Sequence, residues 1–440
     1  MPLAALAAVL VLAAMSAPGA TPVRGATGGS SASGRTVAQD GRDAQRNHGP
    51  YTRDGSASAP RRGESPNERP SEGSRIPRPE PVEPIPAKKL EKSIRRGVDF
   101  LLESQNESGS WGSPISARPE DVYAPVPGAH HAFRAATTGL CIAALIELDD
   151  QRPQVSAALD RAEQWLLKHA SQVRRAEPRA VYNTWGHIYT LDALTRMYER
   201  HADQPERLAR IRKEIELQIG RLQQYEYVGG GWGYYDFNIG SQHPGSPANS
   251  FTTAAGLIAL KQADRLDLNV PGRLVDRAVA SVERQQKPDF SYLYAESHRY
   301  NPMHGVNRPA GSLGRSQACN AALRLWGAQD ITDGVLRDWL DRLFARNGWL
   351  DIGRKRPIPH ESWFAVAGYF FYFGHYYAGE CIALLPPEEQ PTYQDHLAHV
   401  LLAVQEKDGS WWDFPMFNYH KQYGTAFALR ALSHCRREGE

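Results

Sequence analysis

Cysteine is scarce in this chain and is never paired in sequence. Cys141, Cys319, Cys381 and Cys435 are the four among 440 residues, and they stand far apart. No C-x-x-C or finger-like spacing occurs, which excludes a zinc knuckle and a dense disulfide scaffold. The first three fall in apolar helical segments, where a free thiol packs as a small hydrophobe. An excess of one charge is lacking as well. A formal net charge of +2 provides no long-range field for nucleic acid, which is not expected as a partner. Strand-like alternation closed by hairpin turns is also missing. Between Thr21 and Ala87 aliphatic side chains nearly vanish, leaving Gly, Ser, Pro, Arg and Glu. Such a stretch cannot bury enough apolar surface to offset its ordering entropy, so a solvated linker is expected.

The extreme amino terminus contrasts with that linker. Leu3 to Met15 is an apolar run followed by small residues through Ala20, with no Lys or Arg ahead of it. Its length is that of a signal-peptide core and short for a membrane span. The expected organisation is a signal peptide or short anchor at 1–20, a linker at 21–87 and one folded region at 88–440. Export to the periplasm or beyond follows, and an uncleaved anchor would keep the protein near a membrane.

From Lys88 onward apolar residues recur at helical spacing, and one phrase returns: apolar helix, glutamine, glycine, tryptophan, apolar helix. It is clearest at Gln105-x-x-x-Gly109-x-Trp111, at Gly230-Gly231-Trp232 and at Gln405-x-x-x-Gly409-x-Trp411. Gln105, Gln224, Gln286 and Gln405 fall at multiples of roughly 60 residues, a period that marks stacked supersecondary units. Six helical hairpins are counted, all-α throughout, and the long loops inside the units suit a closed ring.

Arg96-Gly97-x-x-Phe100-Leu101-x-x-x-Gln105-x-x-x-Gly109-x-Trp111 resembles the QW repeat of squalene and oxidosqualene cyclases. The helix pattern is also similar to the β subunits of protein prenyltransferases. The resemblance to this prenyltransferase/squalene-oxidase repeat superfamily spans about residues 89 to 436 and implies a single α6/α6 toroid. It implies less about activity, since the motif there chiefly ties helix ends together. The Asp-x-Asp-Asp acid of the cyclases is missing, as is the Asp-x-Cys zinc element of the prenyltransferases. Tyr419-His420-Lys421-Gln422-Tyr423 partly matches the latter's histidine element, so zinc on His360, Glu361 and His420 is a chemical option. The Cys-Gly-Glu-Gln of thioester toroids is absent too. Secreted polysaccharide lyases and hydrolases share α/α toroids, but no catalytic pair at recognisable spacing marks one here.

The aromatic run from Trp363 to Tyr377 is the most unusual local composition. On a helix Tyr369, Tyr372, Phe373 and Tyr376 share a face that could line the ring's cavity. Trp232 and Arg315 are further ligand-binding candidates, Arg315 because it opens a helix after Gly311. Asp236, His375 and Asp192 are the catalytic candidates, Asp192 being a lone carboxylate in an apolar run that needs a partner such as His187 or an arginine. The leading expectation is an exported toroid binding a small apolar or isoprenoid-like ligand. A periplasmic enzyme acting on terpenoid or polysaccharide is the alternative, and a protein-interaction scaffold is the third.

Overall fold

The computed structural model describes residues 76–121, 127–173, 183–234, 247–361 and 365–437. The expected signal segment and the linker up to residue 75 lie outside these residues. Among the described residues there are thirteen α-helices, and extended pairing is limited to isolated bridges.

The helices alternate between an outer and an inner layer. The outer ones are α1 (Ala87–Glu103), α3 (Pro153–His169), α5 (Pro205–Gln224), α7 (Gly272–Glu283), α9 (Asp333–Ala345) and α12 (Gln390–Ala403). The inner ones are α2 (Pro127–Leu148), α4 (Asn183–Arg200), α6 (Ser250–Arg265), α8 (Pro309–Leu325), α11 (Phe370–Ala383) and α13 (His420–Ser433). A short α10 (Asn347–Asp351) lies between α9 and α11. Each inner helix packs on the next, and α13 packs back on α2, so the inner ring closes. The fold is a single α6/α6 toroid.

Local sequence explains the two layers. Outer helices are amphipathic; α1 buries Leu90, Ile94, Val98 and Leu101 along one stripe and exposes its lysines. Inner helices are enclosed on every side, and nearly all of α8 and α11 is buried. Small residues permit this. Gly314 of α8 faces Gly374 of α11 so closely that a Cβ on Gly374 would fall 2.5 Å from the Gly314 Cα. Because every inner helix is reached from an outer one, the inner helices run parallel.

The recurring phrase is a staple at the outer-to-inner turn. The indole Nε1 of Trp111, Trp232 and Trp411 donates to the carbonyls of Leu101, Leu222 and Leu401, each at 2.8 Å. Their backbone N–H groups donate to Thr138, Thr253 and Thr425 on the following inner helix. Gln405 Nε2 donates to Ser93 O at 3.0 Å and Gly409 O at 2.9 Å, tying the last unit to the first and closing the ring. The third unit differs from expectation. Glu226, not Gln224, stands six residues before its tryptophan, and it binds Arg277 at 2.7 Å. In the fourth unit Tyr292 takes the tryptophan's place, pairing with Gln286 and donating its N–H to Ser312.

Candidate functional site

The cavity opens where the inner helices begin. It encloses about 150 Å³, a volume that admits one six-membered ring. Phe133 and Leu140 of α2, Trp185 and Tyr189 of α4, and Phe251 of α6 form one wall. Phe370 and Phe373 of α11 and Tyr423 and Phe427 of α13 form the other. Tyr234, Tyr369, Phe414 and Met416 come from the loops that lead into inner helices. The rings meet edge to face, as Phe251 does with Phe370 at 4.9 Å and with Tyr294 at 5.1 Å.

Phenols and two buried titratable groups supply the polar chemistry. Tyr234 Oη lies 2.5 Å from Tyr294 Oη, which lies 3.1 Å from Tyr369 Oη. Tyr369 Oη is 2.8 Å from His360 Nε2, and His360 Nδ1 is 2.8 Å from the Ala365 carbonyl. His360 adopts a left-handed φ of +59°, a conformation these two bonds hold in place. Burial lowers its pKa to about 4, outweighing the Ala365 carbonyl, so the ring is neutral at pH 7. Asp413, fully buried, accepts from Tyr423 Oη at 2.7 Å and from the Tyr372 N–H at 3.1 Å. Burial pushes its carboxyl up to about 7, against the opposing Tyr423 bond.

Of the residues expected at a ligand, Tyr369 and Phe373 line the cavity. The shared face of α11 divides beyond them. Tyr372 is fully buried away from the lining and meets Asp413 through its backbone N–H, while Tyr376 donates to Glu380 and lies under Arg430, with 4.2 Å between that guanidinium and the ring. Trp232 is fully buried in its staple and does not reach the cavity. Arg315 is buried among backbone carbonyls and does not line the cavity. Its guanidinium donates to three backbone carbonyls, Tyr292 at 2.9 Å, Gly311 at 2.5 Å and Val306 at 2.7 Å.

The catalytic candidates scatter. Asp192 is bound by Arg196 at 2.5 Å and Arg430 at 2.7 Å, in a buried ion cluster with Glu147. His375 is shared between the Phe371 carbonyl and Asn347, facing away from the cavity. Asp236 lies outside the described residues. The suggested zinc set does not assemble: Glu361 is exposed beside Arg356, and His420 is bonded to the Phe417 carbonyl. Among the described residues no three His, Cys, Asp or Glu side chains come together as a metal requires. The four cysteines are buried and unpaired.

Sequence reasoning missed Tyr234, Tyr294 and Asp413, although the repeat marks them. Each stands two residues after the staple's aromatic, at Trp232, Tyr292 and Trp411 respectively. The staple fixes the loop, and the second residue beyond it is carried toward the mouth of the ring.

No family model matches this chain. Its fold is similar to that of an α-1,6-mannanase, GH76A of Salegentibacter sp. HEL1_6. An inactive variant of that protein solved with α-1,6-mannotriose superposes with a TM-score of 0.51 at 10% identity, covering 79% of this chain and 100% of that one. A second inactive variant, with α-1,6-mannotetrose, gives 0.50 at 9% identity over 79% and 99%. The unaltered mannanase also gives 0.50, at 9% identity over 79% and 100%. These neighbours correct the resemblance to cyclases and prenyltransferases. The physical reason is that the QW phrase is a helix-end staple, whose bonds say nothing about the cavity. The small apolar or isoprenoid-like partner expected on that resemblance is corrected with it, since the ligands of these toroids are oligosaccharides.

Proposed function

We propose that the protein acts on carbohydrate, taking one sugar ring of a glycan into the aromatic cavity. The observation that carries this reading is the cavity itself. It is a ring-sized space between aromatic faces, with phenols of Tyr234, Tyr369 and Tyr423 at its walls. The flat C–H face of a pyranose packs on such rings while its hydroxyls meet the phenols, the usual division between apolar lining and a few placed polar groups. The bound mannose oligosaccharides in similar toroids support the same ligand class.

For catalysis on that sugar, Asp413 acting through Tyr423 is the proton-transfer group. A carboxyl held near pH 7 is matched to general acid–base work, and Tyr423 is the only atom-to-atom link it makes to a cavity wall among the described residues. The inactive neighbour carries two replaced consecutive aspartates. The consecutive pair in this chain, Asp149-Asp150, sits instead in the turn after α2, with Asp150 held by Arg152 at 2.7 Å. The reading therefore takes the ligand class from the fold and the reacting groups from this chain.

The test is incubation of the purified protein with neutral polysaccharides and oligosaccharides, with products read by mass spectrometry. Shortened glycans, lost in Asp413→Asn and Tyr423→Phe, are expected. Products that persist unchanged in both variants would remove Asp413 from the reaction, and no change in any glycan would refute an acting enzyme.

A further inference from the structure

We infer that the cavity takes a sugar ring only by an edge free of glycosidic links, so that it discriminates between glycans by linkage. This deepens the carbohydrate reading and rests on it. The cavity is blind. Its upper lining, Tyr234, Tyr369, Phe414 and Met416, comes from the loops ahead of the inner helices. Its lower lining includes Tyr189 and Phe427, about two turns into α4 and α13. Beneath these the centre of the toroid is filled. Tyr377 packs on Phe373 at 4.6 Å and on Tyr376 at 4.7 Å, and Tyr376 lies 5.7 Å from Phe427. Arg430 covers Tyr376 at 4.2 Å and is bound to Asp192 and Glu147. Tyr376, Tyr377, Asp192 and Arg430 are all buried. The sides are the inner helices, each packed on the next around the whole ring. Among the described residues the cavity therefore opens in one direction, at the mouth.

Glycan chains meet this shape unequally. In a six-membered sugar ring carbons 1 and 4 stand at opposite corners, so an internal ring of a 1,4-linked chain carries a neighbour at each end of its long axis. A cavity of about 150 Å³ holds one ring, and its filled floor gives the leading link no exit. Only a terminal ring of such a chain can enter. In a 1,6-linked chain both links leave beside the ring oxygen, one from carbon 1 and one from the arm on carbon 5. An internal ring can then lead with its carbon 3 edge and keep both neighbours at the mouth. The substrate class is a chain linked along one edge of its rings, or the free end of a 1,4-linked one.

Four probes test this: β-1,4-mannotetraose and α-1,6-mannotetraose, each free and each capped at both ends. The caps are a bulky aryl glycoside at the reducing end and a benzylidene acetal on the other terminal ring. Binding to the full chain is followed as the quenching that Trp185→Phe removes. The capped 1,6-linked chain is expected to bind, and the capped 1,4-linked chain to lose all quenching. Quenching by the capped 1,4-linked chain would reveal a second exit and overturn the inference. So would a capped 1,6-linked chain that fails to bind where either free chain succeeds. No quenching by any of the four would remove the carbohydrate reading, and this assignment of linkage with it.

Discussion

Tyr234 and Tyr294 stand at equivalent positions of neighbouring repeats, 60 residues apart, and their hydroxyls meet at 2.5 Å. The repeat that builds the ring therefore also builds the site, placing one phenol from each of two units at the mouth. Tyr294→Phe removes the middle hydroxyl of the row that joins Tyr234, Tyr294 and Tyr369. It should weaken glycan binding about tenfold while costing only about 1 kcal/mol of stability, the net worth of a typical hydrogen bond. Titration and urea unfolding of the same variant would show whether binding falls further than stability.

The Asp413 carboxyl gives the protein a pH dependence with a definite sign. In the folded state it titrates near 7, whereas an unfolded aspartate titrates at about 3.9. The folded state holds the extra proton between those values. This contribution is complete below pH about 4 and is lost as pH rises through 7, on the order of 4 kcal/mol. His187, His360 and His375, which burial lowers to about 4, act in the opposite sense and add stability as pH rises from there toward 6.5. Comparing wild type with Asp413→Asn cancels the imidazoles. The variant's relative stability should climb between pH 5 and 8 in urea melts, and parallel curves would show that the carboxyl does not titrate in that window.

The staples carry much of the ring's stability. Gly109 and Gly409 have φ of +93° and +86°, and a Cβ at either would collide with the carbonyl of Arg161 or Arg96 on the neighbouring outer helix. Gly409→Ala should cost about 2–4 kcal/mol, since it adds strain to a steric clash. A thermal melt showing no loss would mean that the turn has room to move.

Asp192 belongs to the scaffold. Arg430 bridges it at 2.7 Å and Glu147 at 3.0 Å across three inner helices. Arg430→Met leaves those carboxylates buried with Arg196 as their remaining cation, at a cost of about 3–5 kcal/mol. Glycan binding per folded molecule should not change, as a titration scaled to the folded fraction would show.

Helical periodicity and the glutamine–glycine–tryptophan phrase made the toroid legible, because both are local signals with a fixed spacing. The site was legible only in part. Tyr369 and Phe373 were visible as one stripe of an aromatic helix. Tyr372 and Tyr376 belong to the same stripe in sequence, yet Tyr372 is packed away from the lining and Tyr376 is held by Glu380 and by a guanidinium from a helix far along the chain. Arg315 read as an anion holder because it follows a glycine at a helix start, while its partners are carbonyls brought in by tertiary packing. The ligand class was misjudged for a related reason. A motif that staples helix ends travels with the architecture, and the aromatic lining fits a sugar face as well as a hydrocarbon.

The most direct measurement is a fluorescence titration of the full chain with neutral oligosaccharides, α-1,6-mannotetraose among them, read at Trp185. The account predicts saturable quenching by at least one glycan, abolished in Trp185→Phe and weakened about tenfold in Tyr234→Phe. A flat signal for every glycan would contradict it.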